Sequence, residues 1–177
     1  MIDIAIAYQR YKFIGLEFLT WLWFILETDP EVLRTIDEDL MSCRIGKRLV
    51  LENRKKDQLE TVTIKGDAPG LEEAITALKK GALIAEMDLS IKTAQLAWDF
   101  SIKGESLSYS SLRLPTIRVD DFAEDIHEGI YERLLTMEKA VDIIHSLYHR
   151  FINIRISRNW NEQVVPMVHK WIISQEI

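Results

Sequence analysis

The sequence predicts an α+β fold: an antiparallel sheet of about five or six strands packed on an apolar N-terminal helix and followed by a long C-terminal helical hairpin. Three observations predict it. Residues 13–26, FIGLEFLTWLWFIL, are the most apolar run in the chain and hold two of its five tryptophans. Residues 83–103 alternate apolar and polar side chains in two successive stretches, the period of a half-buried strand. Ile130, Leu134, Met137, Val141, Ile144, Tyr148 and Phe151 recur at spacings of 4 and 3, a heptad seam.

The opening run is 14 residues long and contains Glu17, whereas a membrane span needs about 20 apolar residues. Asp3 stands where a signal peptide would be basic, and no small-residue cleavage site follows. The helix is expected over about 4–28, with Tyr8, Tyr11, Phe18, Leu22 and Ile25 on one stripe and Trp21, Trp23 and Phe24 widening it almost all round. Such a helix must be covered on most sides. Glu17 is then either an edge carboxylate paired with a cation or a buried carboxylate with a raised pKa. Asp29-Pro30 ends the helix, because the residue before proline avoids helical geometry.

Residues 36–53 read as two short strands with a turn at Gly46, and 59–65 as a third, where Val62 and Ile64 alternate with threonines. The loop GDAPG at 66–70 lacks the spacing and the Lys-Ser/Thr ending of a phosphate cradle. A short helix over 71–80 presents Leu71, Ala74, Ile75 and Leu78 on one face and stops at Gly81. Leu83, Ala85, Met87, Leu89 and Ile91 form one face of the next strand. Leu96, Trp98, Phe100 and Ile102 form that of its hairpin partner, joined around Thr93-Ala94. A strand over 107–114 slips its alternation between Tyr109 and Leu112, the mark of a bulge or an edge, and ends at Pro115. One face of this sheet is apolar and needs the first helix as its cover. The chain then turns helical from Asp120 to about 156, with Asp120 and Asp121 suited to the N-terminal end. A last helix over about 159–174 carries Trp160, Val164, Met167 and Trp171, and Pro166 inside it should kink it or shift its start. The length of 177 residues suits one domain, with a sheet lobe over about 30–115 and the helical hairpin over about 120–175.

Hydrophobic residues at 47% and charged residues at 28% are ordinary for a globular protein, and a core of this size needs no staple. Cys43 is the single cysteine, so no internal disulfide forms, which favours a reducing, cytoplasmic setting. It reads as a small strand residue rather than a nucleophile. The net charge of −6 excludes a uniformly basic nucleic-acid binder but not a local basic patch. Two such patches stand out: Arg44, Lys47, Arg48, Arg54, Lys55 and Lys56, and then Arg150, Arg155 and Arg158 in a stretch free of acids. Both are candidate phosphate-contacting groups, against the alternative of a solvated hairpin and a helix end favoured by its dipole. Glu138, Asp142, His145 and His149 fall on one helical arc at metal-ligand spacing. No second helix supplies a matching set, so a solvated face is the stronger reading. No nucleophile elbow, zinc-protease, C-x-x-C or dinucleotide motif is present, and a non-enzymatic protein without cofactor is expected.

GLEFLTWLWF (15–24), GKRLVLEN (46–53), ETVTIKGDAPGLEEAITALKKG (60–81), LRLP (112–115) and LYHRFINIRISRNW (147–160) occur in this order. Together they resemble the C-terminal half of the longer, divergent members of the recombination-associated protein RdgC family, over about residues 13–171. The resemblance implies a non-enzymatic, cytoplasmic or nucleoid-associated protein. It implies a ring-shaped homodimer that encircles double-stranded DNA with little sequence preference and restrains recombinase filaments. Such binding requires a basic lining that meets phosphates without reading base edges. The first expectation is therefore an RdgC-like DNA-associated protein contacting the duplex backbone through both basic clusters. The second is an interaction or oligomerisation module that uses the seam helix or a patch near Trp160 and Trp171. The third is a metal-dependent enzyme using Asp142, His145 and His149.

Overall fold

The structure is a computed structural model that describes residues 11–55, 58–66, 71–114 and 126–175. The expected start of the first helix with Tyr8, most of the GDAPG loop, Pro115, Asp120 and Asp121 lie outside these residues.

Helix α1, Phe13–Thr28, is buried from Gly15 to Phe24 at every position but Glu17, which is half-buried. Hydrophobicity on every side leaves a helix no solvated face, so it must be enclosed. It lies between the sheet and the C-terminal helices, and Phe18, Leu19 and Leu22 are completely covered. The helix stops where Asp29-Pro30 requires: the Asp29 N–H bonds to the Ile25 carbonyl, and Pro30 opens a 3-10 turn over Pro30–Thr35.

Five strands follow, all antiparallel: β1 (Leu40–Lys55), β2 (Gln58–Lys65), β3 (Leu83–Thr93), β4 (Ala97–Lys103) and β5 (Ser108–Arg113), in the spatial order β2-β1-β3-β4-β5. The region expected to hold two strands and a turn at Gly46 is one long bulged strand. The register against β3 shifts between Ile45 and Leu49, which takes Gly46 into a bulge. Glycine serves close approach here, not a turn: a Cβ on Gly46 would stand 2.7 Å from the Asp88 Cβ. A second shift, between Val50 and Leu51, moves the inward set of β3. Ile84, Met87, Leu89 and Ile91 point into the core, while Leu83, expected there, is only half-buried. The β3–β4 hairpin closes where the sequence predicts, with the Thr93 N–H donating to the Leu96 carbonyl at 2.8 Å. Trp98, Phe100 and Ile102 all face inward. Strand β5 shows the expected irregularity: a register shift opposite Asp99 and Ser101, and Ser111 at φ 55.

Helix α2, Leu71–Lys79, buries Ala74, Ile75 and Leu78 and stops at Gly81, whose φ is 88. The Ala82 N–H reaches back to the Ala77 carbonyl and the Gly81 N–H to that of Leu78, so two terminal carbonyls are satisfied. Helix α3, Ile126–Arg155, is 30 residues long. Its buried stripe is Thr136, Ala140, Ile143, Leu147 and Phe151, not the expected heptad seam. Of that seam only Ile144 and Phe151 are buried, while Ile130, Leu134 and Met137 are exposed. A tight turn at Ile156 and Ser157 leads to the last helix. There Pro166 cannot donate a backbone hydrogen bond, and the turn before it widens to a π-helical stretch, Trp160–Val164, in which the Val165 N–H bonds to the Trp160 carbonyl. Helix α4, Val165–Ser174, continues from it.

The C-terminal helices close the core on α1 through aromatic rings. Phe151 lies 5.6 Å from both Phe18 and Trp21, and Trp171 meets Trp23 edge-on at 5.4 Å. Helix α3 also reaches the sheet, where the Trp98 indole N–H donates to the Thr136 carbonyl at 3.0 Å. No described helix is long and apolar enough to cross a membrane.

Candidate nucleic-acid interface

The inward set of the sheet fixes what stands on its other face. On β1, Cys43 and Leu49 are buried in the core, so Arg44 and Arg48 project from the side turned away from the helices. Arg44 is opposite Ser90 on β3, and Arg48 is opposite Lys65 on β2. Lys92 stands one step along β3 from that Ser90, opposite Ser42. Lys65, Arg48, Arg44 and Lys92 thus form a diagonal stripe across three adjacent strands. Arg44, Lys65 and Lys92 are exposed and make no ion pair within the described residues, whereas Arg48 is held by Glu86. Lys47 is exposed at the bulge beside them. Of Arg54 and Lys55 only the backbone, at the end of β1, is described, and Lys56 lies outside the described residues.

Lys65 and Lys92 were not among the residues singled out from sequence. Each is an isolated lysine in an alternating strand, and only the register brings them beside Arg44 and Arg48. Next to the stripe the same face is mixed in charge. A recess of about 200 Å³ is lined by Lys47, Asp88, Asp99, Ser101 and Arg113. The Ser101 hydroxyl donates to Asp88 at 2.6 Å, and Asp99 is opposite Arg113 in the register. Of these acids Asp88 is engaged by Ser101, while Asp99 stands exposed across from Arg113.

The C-terminal basic residues sit elsewhere. Arg155 donates from Nε to Glu17 Oε2 of α1 at 2.6 Å, and its guanidinium lies 5.2 Å from the Trp160 ring centroid. Arg150 donates to the Thr35 hydroxyl at 2.9 Å. Arg158 is exposed beyond the end of α3. All three belong to the helical layer, on the opposite side of the sheet from Arg44 and Arg48. The expected joint surface of the two clusters does not form. The physical reason is strand parity: the first cluster alternates with core residues that face the helices, so its charges must face away from them. Glu17 is thereby explained as a paired edge carboxylate, its cation supplied from 138 residues along the chain.

Glu138, Asp142, His145 and His149 are all exposed along α3. Among the described residues no three His, Cys, Asp or Glu side chains are grouped to hold a metal ion. Cys43 is buried between β-strand neighbours, and burial pushes its thiol up to about 12, so it carries no thiolate near neutral pH.

No protein-family model, curated protein or solved structure matches this chain.

Proposed function

We propose that this chain is an RdgC-like, non-enzymatic, DNA-associated protein that binds the backbone of double-stranded DNA without sequence preference and modulates recombination. One observation supports the reading above the others: the stripe of Lys65, Arg48, Arg44 and Lys92 on the sheet face turned away from the described helices, three of whose cations form no ion pair among the described residues. Cations on a strand face can meet phosphates, the lysines as point charges and the arginines as bidentate forks, and contacts to phosphate carry no sequence information. The reading now rests on this face alone, since Arg150 and Arg155 are engaged within the helical layer. The test is binding to mixed-sequence duplex DNA across a salt series. With three to four phosphate contacts, log K should fall against log salt with a slope of about −3. Absence of binding at low salt, or binding that salt leaves unchanged, overturns it.

A second reading, an interaction or oligomerisation module, is favoured by a different observation. From 127 to 135 no residue of α3 is buried, although Ile130, Tyr131, Leu134 and Leu135 are 51%, 69%, 56% and 56% exposed. Two helical turns that project from the core with four large apolar side chains form a patch of the kind that binds a protein. Light scattering during gel filtration, together with a pull-down, tests this. A strict monomer without a partner counts against it.

A further inference from the structure

We infer that the projecting part of α3 pairs in parallel with the same helix of a second copy of this chain, which rests on the second reading above and names its partner. The helix carries two apolar stripes. One, through Ala140, Leu147 and Phe151, is covered by α1 and the sheet. The other runs through Ile130, Leu134, Met137 and Val141 at spacings of 4, 3 and 4, about a quarter-turn round the helix. It is exposed at its first three positions and half-buried at Val141. A 4-3-4 stripe left open beside a covered one is the seam of a two-helix coiled coil whose second strand the described residues do not provide.

The residues beside the seam choose the partner and its direction. Arg133 flanks it on one side and Glu138 on the other, five positions later. In a parallel pair in register, these are the positions that face each other across the seam, so Arg133 of each copy meets Glu138 of its partner twice over. In an antiparallel pair the same sides face themselves, which sets Arg133 towards Arg133 and Glu138 towards Glu138. Both residues are exposed, and neither makes an ion pair within the described chain. The charge pattern is thus complementary to a second copy in one orientation and self-repelling in the other.

Charge variants and cross-linking of the full chain test this. Arg133→Glu and Glu138→Arg should each weaken the dimer about tenfold in dissociation constant, and the double exchange should restore it. Ile130→Cys and Met137→Cys should each cross-link to themselves on oxidation, because both positions meet their own copies in a parallel pair. The buried Cys43 stays silent. Every substituted side chain is more than two-fifths exposed or charged and exposed, so unchanged melting curves should accompany these results. A dimer indifferent to the charge variants, with at most one of the two cysteines cross-linking, overturns the parallel pairing while self-association stands. A dimer that survives Leu134→Glu uses another face and also overturns it. A monomer at every concentration removes self-association altogether.

Discussion

Gly15 and Gly104 meet backbone to backbone where α1 crosses the end of β4. A Cβ on Gly15 would stand 1.8 Å from the Gly104 carbonyl oxygen. No rotamer relieves that contact, because both partners are main chain. Gly15→Ala should therefore push the helix off the sheet and cost about 3 kcal/mol or more, read as a fall in melting temperature. Cys43 gives a second prediction, with a sign. Its thiol ionises near 9 in the open chain and is pushed up to about 12 by burial in the fold. Above 9 the unfolded state gives up this proton first, so stability is intact below 9 and declines as pH rises towards 12. The expected loss is up to about 1.4 kcal/mol per pH unit. Burial raises Tyr109 and Tyr148 as well, which adds to the decline from their ordinary value of 10 upward. Denaturant midpoints measured at pH values above 9 should slope less steeply in Cys43→Ala than in the parent; an identical slope would show that the thiol is not buried. Cys43 already read as a small strand residue, but the contact at Gly15 was not legible beforehand. A glycine announces backbone freedom but not its neighbour, and Glu17 gave no sign that its cation would be Arg155.

At the scale of elements, the sequence announced what periodicity encodes and hid what register decides. The enclosed first helix, the β3–β4 hairpin and the glycine stop of α2 were all legible, because each is set by neighbours within a few residues. The strand β1 was not. Gly46 looked like a turn, but a bulge there keeps one continuous strand, and the register shift between Val50 and Leu51 moves Ile84 rather than Leu83 inward. The covered stripe of α3 escaped because Thr136 and Ala140, which lie on it, carry little hydrophobic signal. Thr20 shows how elements are locked together at such an irregularity. Its hydroxyl donates to the Leu16 carbonyl at 2.9 Å and accepts the Ile84 N–H at 3.0 Å, just where β3 slips against β1. Thr20→Val keeps the shape and removes the acceptor. A buried N–H left without a partner costs about 1–3 kcal/mol. The variant should melt lower by that amount, and hydrogen exchange should quicken at Ile84; unchanged exchange there would mean that the bond does not hold the slip in place.

Across the whole molecule, the layering separates two kinds of arginine. The described helices occupy one side of the sheet and fold Arg150 and Arg155 into their own contacts; the other side carries Arg44, Lys65 and Lys92, which form no ion pair among the described residues. Composition alone could not make this distinction, since a net charge of −6 averages over both sides. Order along the chain misled as well, since both clusters look alike as strings of cations. The separation makes a comparison that either face can lose. Reversing Arg44 and Lys92 to glutamate places two acids where phosphates are proposed to lie. It should abolish duplex binding at moderate salt while leaving melting unchanged, because neither side chain contacts the core. Reversing Arg158, exposed on the helical layer, should leave binding within about twofold and the salt slope unaltered. Arg155→Met serves as the stability control. It strips Glu17 of its partner and Trp160 of its cation, so it should lower melting by about 1–3 kcal/mol without touching the sheet face. If binding instead follows Arg158 and ignores Arg44 and Lys92, the duplex meets the helical side. The stripe across β2, β1 and β3 would then be only a solvated strand face.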